Sequence, residues 1–182
     1  MNPHDRYDTL WVPAGAMTPG DTNGASVVEI FVSGNQTTHD AMRVPYSTQQ
    51  ETFVDFNVSL PDDWDAGTVK AKLFWRLSGV NSASPDTNVK FGVACAAYGD
   101  TDDYSVLLGN RVTVIDTVHG TSEIHITPAT PTIPIGGTPA AGKMLHFQVS
   151  RMFQALEDSM SADANLLGVL LQYRRSGLQS AW

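Results

Sequence analysis

Five histidines (His4, His39, His119, His125 and His146) and one thiol, Cys95, are the side chains best suited to hold a soft metal or act as a nucleophile. Alternation with apolar neighbours puts His125 and His146 outward on different strands. Two imidazoles without a cysteine or a spaced carboxylate make an incomplete zinc site. Cys95 falls on the apolar face of its strand, where a thiol is inert packing. Two carboxylate clusters, Asp62-Asp63-Trp64-Asp65 and Asp100-Thr101-Asp102-Asp103, offer oxygen ligands of the kind calcium takes. Neither has the glycine and terminal glutamate of an EF-hand loop. Asp is also the ordinary turn residue, bonding its own backbone. No Gly-x-Ser-x-Gly, phosphate-cradling loop or His-Glu-x-x-His occurs. The expectation is therefore a non-enzyme with no catalytic residue, no cofactor and no metal.

Aromatic residues are the remaining functional signal. Trp11, Trp64, Trp75 and Tyr98 can line a sugar-binding platform, with loops around Trp64 and residues 100–104 as its site. The competing reading makes Phe74 and Trp75 cores of opposite faces and Trp64 a plug under a loop. Tyr7, Trp11, Trp64 and Trp182 are the candidate partner contacts, because aromatic anchors dominate interface energetics.

The elements that must carry these residues read as strands. In 68–77, Val69, Ala71 and Leu73 point one way and Lys70 and Lys72 the other. Val89, Phe91, Val93, Cys95 and Ala97 share one face of 89–98. Segments 123–127 and 144–150 alternate again, and 9–12, 27–32, 52–60, 111–116 and 166–174 are further runs. Period two with one apolar face marks antiparallel strands half buried against a second layer. The fold class is all-β: an antiparallel β-sandwich, jelly-roll-like, with at most one short helix, placed within 153–161. Pro128, Pro131, Pro134 and Pro139 mark a stiff, extended connection. The organisation is an N-terminal arm (1–7), one sandwich domain (8–175) and a C-terminal tail (176–182).

Composition sets the boundaries. The chain has 182 residues, a net charge of −8 and 16% charged residues, against ~25% in an average domain. One cysteine excludes a disulfide framework. The polar start has no signal-peptide character, and no apolar run approaches the ~20 residues of a membrane span. An acidic chain without a Lys/Arg run lacks a nucleic-acid footprint. Neither nucleic acid nor membrane is expected as a partner. A surface so poor in charge suits a subunit covered by neighbours.

The C-terminal third carries the most specific pattern. Val149-Ser150-Arg151 ends one strand, a loop holds Asp158 and Asp163, and Asp163-Ala164 leads into Leu166-Leu167-Gly168-Val169 and Tyr173. With the Trp11-Val12-Pro13-Ala14-Gly15-Ala16-Met17 opening and Leu60-Pro61-Asp62-Asp63-Trp64, this resembles small auxiliary virion proteins of tailed phages, of the capsid decoration (cement) or head-fibre type. The resemblance implies a β-sandwich that decorates a virion. The leading expectation is a capsid decoration protein on the outer surface of a particle assembled in the host cytoplasm, a position that the acidic charge suits because packaged DNA would repel it from inside, with the major capsid protein as partner and a homo-oligomer, trimer favoured, as the unit. The alternative is a tail- or fibre-associated host-recognition or carbohydrate-binding module. Arg151 is expected to pair with Asp158 or Asp163 and pin the connection between the last two strands.

Overall fold

Alternation is what builds the two layers. A computed structural model describes residues 6–32, 34, 37–46, 50–79, 86–120, 122–152 and 155–176. Twelve strands form two sheets: β1 (Arg6–Pro13), β2 (Thr18–Pro19), β3 (Ser26–Val32), β4 (Thr37–Val44), β5 (Thr52–Ser59), β6 (Trp64–Leu77), β7 (Asn88–Tyr98), β8 (Val112–Thr117), β9 (His125–Ile126), β10 (Ile135–Gly136), β11 (Met144–Arg151) and β12 (Ala164–Arg175). The first sheet runs β3-β4-β12-β6-β9, with β1 also on β12; the second runs β10-β7-β11-β5-β2, with β8 on β7. All pairings between strands are antiparallel except β10 with β7. The chain is an all-β sandwich, as its alternation predicts.

Between the sheets lie Val69, Leu73, Trp75 and Leu77 from β6, and Leu166, Val169 and Leu171 from β12. Opposite them stand Phe91, Val93 and Cys95 from β7, and Leu145, Phe147 and Val149 from β11. Phe56 and Phe147 stack across β5 and β11 at 5.1 Å. In β12 the inward positions Leu166 and Val169 are three apart, because a bulge at Leu167 shifts the register against β6. This bulge lies where β4 hands over to β1 along the same edge of β12: β4 pairs up to Leu166 and β1 from Gly168. Through that junction the chain leaves β1, turns at a short 3-10 segment, Ala14–Ala16, and crosses to β2 in the other sheet.

Two expectations are corrected. The helix within 153–161 does not form in the described part, 155–161. Asp158 N–H donates to Ala155 O in an isolated turn, and Ser159 and Met160 both donate N–H to Asn88 O, which draws the backbone onto β7. Leu156, which an amphipathic helix here would bury, is fully exposed, and residues 153 and 154 lie outside the described residues. The 123–127 strand shrinks to His125–Ile126 with its faces reversed: His125 is buried, whereas Ile124 and Ile126 are exposed. A ring that can both stack and hydrogen-bond won the inward position. His125 stacks on Trp75 at 4.5 Å, and its Nε2 lies 3.1 Å from the Gly120 carbonyl.

The proline-rich connection lies along the free edge of β6. Thr127 N–H donates to Leu73 O, Thr130 N–H to Ala71 O and Ile133 N–H to Val69 O. The Thr127 and Thr130 hydroxyls accept from Leu73 and Ala71 N–H in return. Each of these three residues precedes a proline, which has no N–H to leave unsatisfied. The segment thereby closes an edge that would otherwise be open to another strand.

The Arg151 expectation holds, in a stronger form. Arg151 and Asp158 are both fully buried and paired, Nε to Oδ2 at 3.0 Å and Nη2 to Oδ1 at 2.8 Å. The guanidinium also donates to the Ala162 and Met160 carbonyls, and Asp158 accepts from Lys90 N–H. Asp163 takes a different partner, accepting from Tyr46 N–H at 2.8 Å. The pattern near the C-terminus is thus a clamp joining β11, β7 and the connection that leads into β12.

Candidate functional site

On the outer face of the first sheet, β6 presents the residues between its core positions: Lys70, Lys72, Phe74 and Arg76. β1 presents Tyr7, Thr9 and Trp11 on the same face. Gly168, opposite Phe74 on β12, makes the centre of this face possible. A Cβ built there would lie 2.4 Å from Trp11 Cζ2 and Cη2, so only glycine lets the indole lie over the strand. Trp11 reaches across to Phe74, centroids 4.9 Å apart and planes at 81°. Two aromatic rings from strands that are not neighbours therefore meet edge to face above a glycine.

A cleft of about 870 Å³ opens beside this pair. Ile30, Ile124 and Leu167 extend its apolar wall, and Thr38, His39, Asp40, Arg76 and Ser122 supply polar groups. The β3–β4 hairpin provides one wall and the segment before β9 the opposite one. Asp40 is seated against Gly15 of the crossing turn, whose built Cβ would stand 2.6 Å from Oδ2. An apolar concave surface with a few polar groups around it is the usual form of a small-ligand site. An exposed indole beside hydroxyl, imidazole, carboxylate and guanidinium groups suits a ligand with an apolar face and a polar perimeter.

Of the candidate aromatic contacts, Trp11 (44% exposed) lies in the cleft and Tyr7 (52%) on the same face four residues away. Trp64 is not on the surface: it is 3% exposed, filling the core beneath the Asp62–Asp65 turn. Trp182 lies outside the described residues, as does His4. Trp75 is wholly buried, its indole N–H donating to Asp116 Oδ2 at 2.8 Å. The aromatic pair on this face is thus Trp11 and Phe74, and the Trp64 loop presents no exposed ring. The second expected loop does expose a ring: Tyr104 is 83% exposed and lies 5.3 Å from Tyr98.

Asp63, Asp65, Asp102 and Asp103 of the two aspartate clusters are engaged by protein partners. Asp63 pairs with Arg175, and Asp65 pairs with Arg174 while accepting from Gly67 and Thr68 N–H. Burial raises the Asp65 pKa, but these hydrogen bonds outweigh it and hold the carboxyl below its ordinary value. Asp102 is likewise lowered, first by Lys143 and then by Gly99 N–H. Asp103 is lowered by the Ser105 N–H. His146 and His125 lie on different sheets; His146 Nδ1 is 2.9 Å from Asn57 Oδ1. The Cys95 thiol is buried in the core, and burial pushes it up to about 12.

Arg76 and Ile124 line the cleft without having stood out in the sequence, and Phe74, read there as core of the opposite face, is half-buried on the outer face instead. Extending the parity of Lys70 and Lys72 along the same strand would have found Phe74 and Arg76.

No family model matches the chain, and no curated protein does. Among solved structures it is similar to a family 11 carbohydrate-binding module from Clostridium thermocellum, crystallised with a mixed-linked β-1,3-1,4 tetrasaccharide. That match has 13% identity and a TM-score of 0.40, and covers 96% of this chain and 91% of that one. A carbohydrate-binding module studied for specific mannan recognition matches at 12% identity and TM-score 0.42, over 93% and 99% of the two chains. A CocE/NonD family hydrolase from Staphylococcus aureus matches at 12% and 0.45; this chain spans 37% of its length.

Proposed function

We propose that the protein is a non-catalytic carbohydrate-binding module of the host-recognition type, and that its site is the cleft at Trp11 and Phe74. The observation that carries this reading is the exposed Trp11 ring held over Gly168 beside His39, Asp40 and Arg76. A sugar ring has an apolar face of C–H groups and a rim of hydroxyls; the indole meets the first, and the side chains around the cleft both donate to and accept from the second. Support for a binding role comes from the acids and the thiol: the Asp63, Asp65, Asp102 and Asp158 carboxylates are bonded to cations, and Cys95 is sealed in the core. A glycan array tests the reading. Selective binding that disappears in Trp11→Ala, with the fold retained, is the expected outcome. Binding that survives the substitution, or no binding at all, overturns it.

A second reading follows from β3. This edge strand carries Val27 and Phe31, each 63% exposed, and pairs only with β4 among the described residues. Apolar side chains along an open strand edge are a natural contact for another subunit. They support a capsid decoration protein, assembled as a trimer on the outer surface of a phage head and bridging major capsid protein subunits. Copy number per purified particle separates the two: hundreds of copies support decoration, and a dozen or fewer support a tail or fibre module.

A further inference from the structure

The sugar-binding reading leaves open what kind of saccharide the face would take, and the distribution of charge addresses that. The chain has 11 basic and 19 acidic residues. Seven of the basic side chains, Lys90 and Arg111 among them, reach a carboxylate. The remaining four, Arg43, Lys70, Lys72 and Arg76, have no acidic partner among the described residues. All four stand on the outer face of the first sheet. Lys70, Lys72 and Arg76 occupy outward positions of β6, and Arg43 joins them through a direct row, because Asn165 on β12 is the register partner of both Arg43 and Arg76. In a chain where acids outnumber bases, uncompensated cations gathered on one face are a local reversal of the molecule's field.

The same row holds unfilled hydrogen-bonding capacity. Arg43 Nε, Asn165 Oδ1 and Arg76 Nε are all buried and all lack a partner, and Asn165 is 5% exposed. Such atoms are costly to leave unmade, and three on one row call for an explanation. The row adjoins the Trp11–Phe74 pair, Phe74 and Arg76 being successive outward residues of one strand, and Arg76 itself lines the cleft. Asp40 is the single acid among the cleft-lining residues, seated against Gly15 on the opposite wall.

We propose that the ligand is an acidic oligosaccharide, its sugar rings on Trp11 and Phe74 and its carboxylate or sulfate groups on Arg76 and Arg43 at one end and Lys72 and Lys70 along β6. From Lys70 to Arg76 is six strand residues, about 20 Å, which suits an extended chain better than a single sugar. The sparse cations fit a polymer whose charges are interrupted by neutral surface; a nucleic acid, charged at every residue, demands a denser row. The inference rests on the saccharide reading and is tested so that the two fail separately.

The test presents neutral, uronate-bearing, sialylated and sulfated glycans to the whole protein on an array. The best acidic ligand, its neutralised counterpart (carboxyl-reduced or desulfated) and a single-stranded DNA then follow by calorimetry. The expected result is acidic ligands only, with the neutralised form about tenfold or more weaker and affinity falling as salt rises. Lys72→Gln and Lys70→Gln, changes on β6 outside the cleft lining whose folding is checked by melting temperature, weaken the acidic ligand and leave the neutralised one unchanged. Equal binding of the neutralised form, or selection of neutral glycans, overturns this inference and leaves the saccharide reading standing. Stronger binding of the DNA overturns it in favour of a nucleic acid. No glycan binding at all removes both.

Discussion

Arg151 and Asp158 are fully buried, so their energetics are asymmetric. Losing one partner leaves the other charge in the core, at a cost of about 3–5 kcal/mol, although the intact pair contributes far less than that. Arg151→Ala is therefore expected to be among the most destabilising single changes in the chain. Arg151→Lys should rescue little, since an ammonium cannot reproduce the two-pronged contact with Asp158 and the bonds to Ala162 and Met160 carbonyls. Urea unfolding of both variants checks this; a loss below about 1 kcal/mol in Arg151→Ala contradicts the clamp. This pairing was legible in the sequence because an arginine ending an apolar strand needs a nearby acid. That Asp158 and not Asp163 would be chosen was not legible, because the choice depends on the turns at 155–160 that bring Asp158 under the guanidinium.

At the scale of elements, the cleft depends on how β1, β12 and β6 are registered. Gly168 is the position that lets Trp11 cross β12, and a methyl there would also press on the Val12 carbonyl at 2.8 Å. Gly168→Ala should tilt the indole off Phe74, lower saccharide affinity about tenfold and reduce the melting temperature by a few degrees. Calorimetry and thermal melts of the variant read both; unchanged affinity contradicts the role given to the Trp11 ring. Strand identity in β6, β7 and β11 could be read because the period-two pattern is strong and one face is buried. The face of β9 could not: in a two-residue strand, nothing local decides between His125 and its isoleucine neighbours, and the decision comes from stacking on Trp75. The 3-residue spacing of Thr127, Thr130 and Ile133 before prolines is a signal that identifies the β6 edge strap only once the partner strand is known.

For the whole molecule, the ion pairs set the acid limit of stability. Asp8 is lowered first by its bond to Arg175, Asp102 by Lys143, and Glu157 by a backbone N–H and Lys90. A carboxyl whose folded pKa lies below its unfolded value stabilises the fold when ionised, and that contribution is present above the unfolded pKa. With ordinary values of 3.8 for Asp and 4.5 for Glu, the melting temperature should change little between pH 7 and about 5 and fall as the pH drops through and below 4. A melting temperature that rises on acidification through this window contradicts these pairs. The low charge of the chain has a matching consequence. Most cations are spent on such pairs, and those left over gather on the one face that also carries the exposed tryptophan.

The most direct test of the Trp11–Phe74 site is where a saccharide contacts the protein. Chemical-shift mapping by two-dimensional amide and indole N–H spectra, with an array-selected glycan titrated into isotope-labelled protein, locates it. Perturbations are expected at the Trp11 indole, Gly168, Ile124 and the outward residues of β6 from Lys72 to Arg76. Perturbations centred on Tyr104 and residues 100–107, or spread over the second sheet, would contradict that site.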